Sequence, residues 1–171
     1  WSSLTAVDFP NLQWIGTETF AQCTSLSSIS FSSVQSIYSS AFQSCTALTE
    51  ASFPSCTSVS ASAFANCTSL TKVSFPKLKT LNATGVFRSC YSLSEVYMPS
   101  VSSAISYDVF RDCSSLTEVN FPLVTSIYTS AFTNCTSLVS ASFPNLSYLY
   151  STTFGSCVSL KNFYAPQLNS L

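Results

Sequence analysis

Seven cysteines recur along the chain at a nearly constant spacing, and they are its most conspicuous reactive residues. Regularly spaced thiols could bind a metal, form disulfides or fill a core. A metal site is disfavoured because the sequence has no CxxC pair and no histidine. The column consists of Cys23, Cys45, Cys67, Cys90, Cys113, Cys135 and Cys157.

We predict that these cysteines form a buried column of free thiols, because free cysteine packs as a small hydrophobe. Disulfides between neighbouring copies are the alternative, since strands about 4.8 Å apart would bring the Cα atoms within disulfide range. Parallel side-chain directions and an odd number of cysteines favour free thiols. The eighth, Cys56, occupies a position that is Leu or Val in other copies, so we assign it to the core.

Catalytic chemistry is disfavoured by the absence of histidine, because neither a Ser-His nor a Cys-His dyad can form. The seven acidic residues are scattered along the chain, and no glycine-rich phosphate loop is present. We therefore predict a protein that is not an enzyme and that uses no cofactor and no metal.

The cysteine spacing is one sign of a repeat of about 22 residues. All seven prolines share one repeat position, and thirteen of the fourteen phenylalanines fall at two others. Self-similarity at this period predicts a stacked solenoid. Residues 1–171 form a single array of about 7.5 repeats of 22–23 residues. We expect it to be a fragment of a longer protein. Its units begin at residues 1, 23, 45, 67, 90, 113, 135 and 157.

Within each unit we number the repeat positions from the cysteine, which is position 1. Position 4 is leucine, and positions 7 and 9 are apolar between polar neighbours, which predicts a short half-buried strand. Proline at position 10 should end that strand. Ser32 replaces this proline in the second unit, where we expect the strand to continue. The far side should hold short extended pieces and 3-10 turns rather than long helices.

The consensus Leu-x-x-Val-x-Phe-Pro-x-Leu-x-x-Ile-x-x-x-Ala-Phe-x-x-Cys resembles the BspA-like, treponemal-type leucine-rich repeat. The unit from Cys113 to Asn134 matches it closely. The resemblance implies a right-handed leucine-rich repeat solenoid of the α/β-horseshoe class, mostly β, with a parallel sheet on its concave face. It also implies a surface or secreted protein associated with adhesion. One departure is that the family's glycine after the position-15 isoleucine is kept only at Gly16.

Side chains at repeat positions 6 and 8 should point away from the core and line the concave face. The central units carry charges there that we expect to stack on consecutive turns, beside an exposed tyrosine, a residue type enriched in binding hot spots. A solvated polar stripe is the alternative interpretation. The candidate partner-binding residues are Glu50, Lys72, Glu95, Tyr97, Glu118 and Asn120.

Two further surfaces are candidates for binding. One lies around the inserted residues of the fourth and fifth units, where basic and acidic residues gather, although charges also gather wherever solubility requires them. The other is a group of aromatic residues near turns, which could instead cover the core. These residues are Lys72, Lys77, Lys79, Arg88, Glu95, Asp108, Arg111 and Asp112 for the first surface, and Trp14, Tyr38, Tyr107, Tyr128, Tyr148 and Tyr150 for the second.

The composition limits where the protein acts and what it contacts. Only 8% of the residues are charged, and serine and threonine supply the polarity instead, which is typical of an extracellular or cell-surface protein. A net charge of −1 argues against nucleic-acid binding, and no segment is apolar enough for membrane insertion. We predict a non-enzymatic binding or adhesion module for a protein or a glycan. A passive stalk that spaces another domain is the alternative, and the sequence leaves the oligomeric state open.

Overall fold

The computed structural model describes residues 1–169, which form a β-solenoid of about seven turns built from short parallel strands. Eight strands of three residues carry repeat positions 6–8. They are Ala6–Asp8 (β1), Ser28–Ser30 (β3), Glu50–Ser52 (β5), Lys72–Ser74 (β7), Glu95–Tyr97 (β8), Glu118–Asn120 (β9), Ser140–Ser142 (β11) and Asn162–Tyr164 (β13).

Five two-residue strands form a second ladder near repeat position 15, which the sequence predicts only as extended pieces. The solenoid therefore has parallel pairing on two sides. Isolated bridges join Leu81 to Ile105 and Ile105 to Ile127, so the second ladder resumes in the central units after an interruption between Val59 and Leu81. The strands are Trp14–Ile15 (β2), Ser36–Ile37 (β4), Ser58–Val59 (β6), Ser126–Ile127 (β10) and Tyr148–Leu149 (β12).

No helix is present among residues 1–169, so the described fold is all-β rather than mixed α/β. Consequently the described residues contain no helix that is long and apolar enough to cross a membrane. Single turns closed by a bond from the amide of residue i+3 to the carbonyl of residue i are present, such as Cys23 N–H to Phe20 O at 3.1 Å, but no 3-10 helix is present among residues 1–169. Short pieces of extended chain and turns therefore make up the far side.

The three-residue strands alternate as predicted, with the middle residue turned inward. Val73 is fully buried between exposed Lys72 and half-buried Ser74, and Ala51 is buried between two exposed residues. The expectation for Ser32 is wrong, because β3 ends at Ser30, the same repeat position as in the proline-containing units. The strand therefore ends at this position without proline, in a bend at residues 32–33.

Two columns of stacked phenylalanines fill the core. The column at repeat position 20 is unbroken, with neighbouring ring centroids 5.1 Å apart at Phe42–Phe64 and 5.6 Å apart at Phe87–Phe110. The column at position 9 is interrupted in the fifth unit, where Met98 replaces phenylalanine. Rings of the two columns also meet edge to face, as Phe64 and Phe75 do at 5.9 Å. Stacking between turns supplies the burial that one turn cannot provide.

The segment from repeat position 17 to the next cysteine, which we call the turn column, uses left-handed backbone twice in each turn. Thirteen non-glycine residues there have positive φ. Six are serine, and four are asparagine or aspartate, which tolerate this conformation better than other non-glycine residues. Gly85 is the one glycine with positive φ, at 62°. The φ of Gly16 lies outside the left-handed region, so larger residues at that repeat position need no strained backbone.

Candidate functional site

The cysteine column lies in the core, with seven of the eight thiol residues buried and Cys157 half-buried. Six thiols donate hydrogen bonds of 3.1 to 3.3 Å to the phenylalanine carbonyl at position 20 of the preceding turn. Phe42 O, for example, accepts both the amide of Cys45 at 3.1 Å and the thiol of Cys67 at 3.1 Å. Cysteine thus fits this position because it is small and apolar and still carries a donor.

Burial makes these thiols poor nucleophiles. It raises the pKa of Cys45 and of Cys90 to about 12, and the pKa of Cys56 to about 11. The thiolate is the reactive form and the metal ligand, so these side chains are inert at neutral pH. No three His, Cys, Asp or Glu side chains within residues 1–169 converge in a way that could hold a metal ion. We therefore assign the cysteine column to the core rather than to a functional site.

The outward side chains of the three-residue strands form a surface that we call the strand face. In the register of β5, β7 and β8, Glu50 aligns with Lys72 and Lys72 with Glu95. The Lys72 ammonium lies 3.0 Å from a Glu95 carboxylate oxygen. This hydrogen bond and the charge of Glu95, with a smaller contribution from Glu50, raise the pKa of Lys72. Because both ion-pair partners are largely exposed, the pair orients side chains more than it stabilises the fold.

The sheet beneath the strand face is interrupted twice, so that it consists of three separate pieces. Strand β1 pairs with β3, β7 pairs with β5 and β8, and β11 pairs with β9 and β13. Between β8 and β9 most Cα pairs are more than 8 Å apart, whereas hydrogen-bonded strands lie about 4.8 Å apart. On the opposite side the same two turns stay joined, for example by Phe110 N–H to Ala131 O at 2.8 Å. The turns are therefore splayed apart on the strand face alone.

Backbone groups that are paired at other interfaces lack partners at these two interruptions. The amide at repeat position 9 usually donates to the next turn, as Phe75 does to Tyr97 O at 2.9 Å. Within the described part of the chain, the amides of Phe31 and Met98 make no such bond. On one side of each gap the position-7 side chain, Ile29 or Val96, is half-buried, whereas Ala51 and Val119 on the other side are buried. Both observations show an open strand edge.

A groove of about 480 Å³ lies over the gap between β8 and β9, and we call it the strand-face groove. Its floor includes three position-7 valines, and its sides carry charged, amide and phenol groups. The two carboxylates come from different strands, one on each side of the gap. The main lining residues are Lys72, Glu95, Val96, Tyr97, Glu118 and Asn120.

Five of the six residues predicted to bind a partner line this groove. Glu50 does not, and it instead borders a smaller depression of about 180 Å³ with Lys72. The expected stack of four consecutive charges holds for Glu50, Lys72 and Glu95 only, because Glu118 lies across the gap in β9. Whether these residues bind a partner stays a prediction.

Sequence reasoning missed the gap itself and the residues it exposes, including Ser94 and Val96. A signal was present, because each interruption adjoins an irregular repeat. Ser32 replaces proline in the unit of β3, and Met98 replaces phenylalanine in the unit of β8, which also carries an inserted residue near Ala104. Both interruptions thus adjoin a departure from the consensus, whereas the insertion in the fourth unit leaves β7 paired on both sides.

The other two candidate surfaces are held by their own internal contacts. Arg111 contacts Asp108 at 3.5 Å and Asp112 at 3.7 Å, and the Asn134 amide donates to Asp112 at 2.7 Å. Among the aromatic residues, the rings of Tyr107, Tyr128 and Tyr150 stack on one another at 5.2 Å and 4.8 Å. Depressions of about 390 Å³ and 380 Å³ border Tyr150 and Trp14 of the aromatic surface. The strand-face groove is larger, lies between two described turns and contains five of the six predicted residues, so we centre the candidate site on it.

Comparison with known families matches six copies of the BspA-type leucine-rich repeat over residues 1–113 and 83–171. The two matched ranges together cover the whole sequence. The chain belongs to the BspA-type leucine-rich repeat family. Members of such repeat families serve as protein-interaction or structural modules and are generally non-enzymatic scaffolds. No curated protein matches the chain.

Solved structures of bacterial leucine-rich repeat proteins share this fold. A leucine-rich repeat protein of T. pallidum is 31% identical with a TM-score of 0.82, over 91% of this chain and 78% of that one. A protein from Bacteroides ovatus is 25% identical with a TM-score of 0.77, over 98% of this chain and 54% of that one. One from Eubacterium ventriosum is 25% identical with a TM-score of 0.81, over 98% and 44%. The chain thus spans about half the length of the latter two.

Proposed function

We propose that this repeat array is a non-enzymatic adhesion module of a cell-surface or secreted protein, which binds a partner protein through the strand-face groove. The observation that carries the proposal is the gap between β8 and β9. It combines unpaired backbone groups, an exposed tyrosine and uncompensated charge in one depression. Such a combination is what a protein interface uses, whereas a solvated stripe needs neither a depression nor an open strand edge.

The location rests on composition and on the family. A surface made polar by serine and threonine rather than by charge fits an extracellular or cell-surface protein. The BspA-type family supports the same location.

A passive stalk is the second candidate, and the turn column is the observation in its favour. Hydrogen bonds join consecutive turns there at each of the six interfaces from the first unit to the seventh. A rigid rod built in this way could space another domain without binding anything itself. The two functions differ in one measurable respect, because only an adhesion module binds when the array is separated from the rest of its protein.

Binding of the isolated array to immobilised extracellular-matrix proteins and to host-cell surfaces tests the proposal. We expect the array to bind, and we expect Glu95→Lys combined with Tyr97→Ala to weaken binding at least about tenfold, as loss of a hot-spot residue does. The melting temperature should stay nearly unchanged, because both side chains are exposed.

The matched control is Glu18→Lys combined with Tyr148→Ala, which makes the same chemical changes at exposed positions away from the strand face. It should leave both binding and melting temperature unchanged. An array that binds none of these surfaces would support the stalk. If the groove variant and the control weakened binding equally, the groove would not be the contact surface.

A further inference from the structure

We propose that the strand-face groove binds an extended segment of a partner protein that pairs with the open edge of β8 and places a cationic side chain against Glu118. This inference rests on the proposed function and specifies the chemistry of the partner. It is drawn from the unpaired backbone of β8, the width of the gap and the distribution of charge along the strand face.

The backbone of β8 has the hydrogen-bonding groups that an added strand requires. At other interfaces the position-5 carbonyl accepts an amide of the next turn, as Thr71 O accepts from Ser94 at 2.9 Å. Ser94 O accepts no backbone amide within residues 1–169, and the amide of Met98 donates to none there. These two groups flank β8 on the side that faces the gap. An extended main chain could therefore replace the missing pairing, which is recognition by strand addition.

The gap leaves the edge of β8 accessible while the solenoid stays folded. The strands β8 and β9 lie mostly beyond 8 Å from each other, although their turns remain bonded at Tyr128 N–H to Ile105 O at 2.8 Å. The half-buried Val96 and the buried Val119 form an apolar floor. A side chain that points inward from the added strand would meet this floor, and its neighbours would point outward.

The charge of the side chains that line the groove favours a cationic side chain on the partner. Among the residues that line the groove, Glu95 and Glu118 carry two carboxylates against the single ammonium of Lys72. Lys72 is paired with Glu95, whereas Glu118 makes no ion pair within the described residues. A lysine or arginine of the partner would complement Glu118, and arginine would also offer a planar donor fork to its carboxylate.

Short synthetic peptides test this inference directly with the whole array. The probe is a capped heptapeptide of alternating threonine and valine with arginine at its centre, and binding is measured by isothermal titration calorimetry. We expect the arginine peptide to bind and a glutamate-centred peptide to bind at least about tenfold more weakly. A version with N-methylated amides along one edge should lose about tenfold, because it cannot pair with β8.

Variants of the array locate the charge contact. Glu118→Gln should weaken binding of the arginine peptide about threefold, the size of an exposed ion pair, and Glu118→Lys should weaken it further. Glu50→Gln removes the same charge from the same face outside the groove, and it should change the affinity less than about twofold. Equal melting temperatures for the three variants confirm that each is folded.

The outcomes separate this inference from the proposed function. If matrix proteins or cells bind through the groove but the arginine peptide does not bind, the inference is wrong and the proposed function stands. Binding that ignores the central charge, the N-methyl groups or Glu118 also overturns it. If the array binds neither peptides nor proteins, both proposals fail together.

Discussion

The turn column and the strand face run side by side along the same solenoid, yet only the turn column is continuous. In the turn column each of the six interfaces keeps its position-20 bond, from Phe20 N–H to Ala41 O at 2.8 Å through Phe132 N–H to Thr153 O at 2.9 Å. The strand face is divided into three pieces. Cohesion between turns therefore depends on the turn column, which leaves the strand face free to open where a partner could bind.

The largest expected effect is a fall in the free energy of unfolding at alkaline pH, which destabilises the turn column. Burial raises the folded-state pKa of Cys45 and Cys90 from 9.0 to about 12. Because the folded-state pKa is raised, each buried neutral thiol contributes its full stability below pH 9. That contribution is lost as the pH rises through 9 toward 12. Each such thiol contributes up to about 1.4 kcal/mol per pH unit in that window. Denaturant unfolding from pH 7 to 11 measures the decline.

A control for this effect is the number of reactive thiols. The native array should react slowly with a thiol reagent at neutral pH, and the denatured array should show eight free thiols, the number of cysteines in the chain. Fewer than eight after denaturation would contradict the free-thiol column. Stability that is constant up to pH 11 would show that the thiols are not buried.

The next largest effect compares a buried side chain of the turn column with an exposed side chain of the strand face. Phe64 is fully buried and stacks on Phe42 and Phe87 at 5.1 Å and 5.5 Å. We expect Phe64→Ala to lower the free energy of unfolding by about 3–5 kcal/mol. Tyr97→Ala on the strand face should change it by less than about 0.5 kcal/mol, as exposed substitutions usually do. Similar losses for both would contradict the distinction between the two regions.

A smaller difference in the free energy of unfolding tests whether β8 and β9 are separated on the strand face. Val73 is fully buried between paired strands, whereas Val96 is half-buried beside the gap. Val73→Ala should cost about 2 kcal/mol of unfolding free energy, from two buried methyl groups and the cavity they leave. Val96→Ala should cost less than half as much. Equal costs in denaturant titrations would mean that β8 and β9 are closed together in solution.

The smallest effect concerns the backbone of the turn column. Gly85 has φ of 62°, and an added Cβ would meet nothing closer than 3.6 Å, so only conformational strain opposes a larger residue. Gly85→Ala should cost about 1 kcal/mol. Gly85→Asn should cost less, because asparagine tolerates the left-handed region. Thermal unfolding of the two variants distinguishes strain from crowding, since crowding would penalise the larger asparagine more.

Much of the fold could be predicted from the spacing of residue types. The positions of cysteine, phenylalanine and leucine indicated the solenoid, and the alternation in Lys72–Ser74 indicated which strand residues turn inward. Five of the six candidate residues were brought together in one groove because residues at the same repeat position must lie on the same face. The family's repeat explains why this inference was possible.

Other features could not be predicted because they depend on how one turn meets the next. The thiol bond from Cys67 to Phe42 O joins residues 25 apart, and it depends on the stagger between turns. The sequence of the segment Ser126–Ile127 indicates only extended chain, because its pairing also requires a second turn in register. The position of Glu118 across the gap from Glu95 likewise depends on the separation of β8 and β9.

By itself the sequence determined the solenoid, its period and the inward side of each strand, because the burial of regularly spaced apolar residues is a property of each repeat. Only the tertiary structure decided where the sheet opens. Pairing between turns depends on how far neighbouring turns are splayed, how they are staggered and how their side chains pack along the whole stack. Met98 and Ser32 depart from the repeat in the sequence, but only the stacking of the turns shows that the strand edges beside them are open.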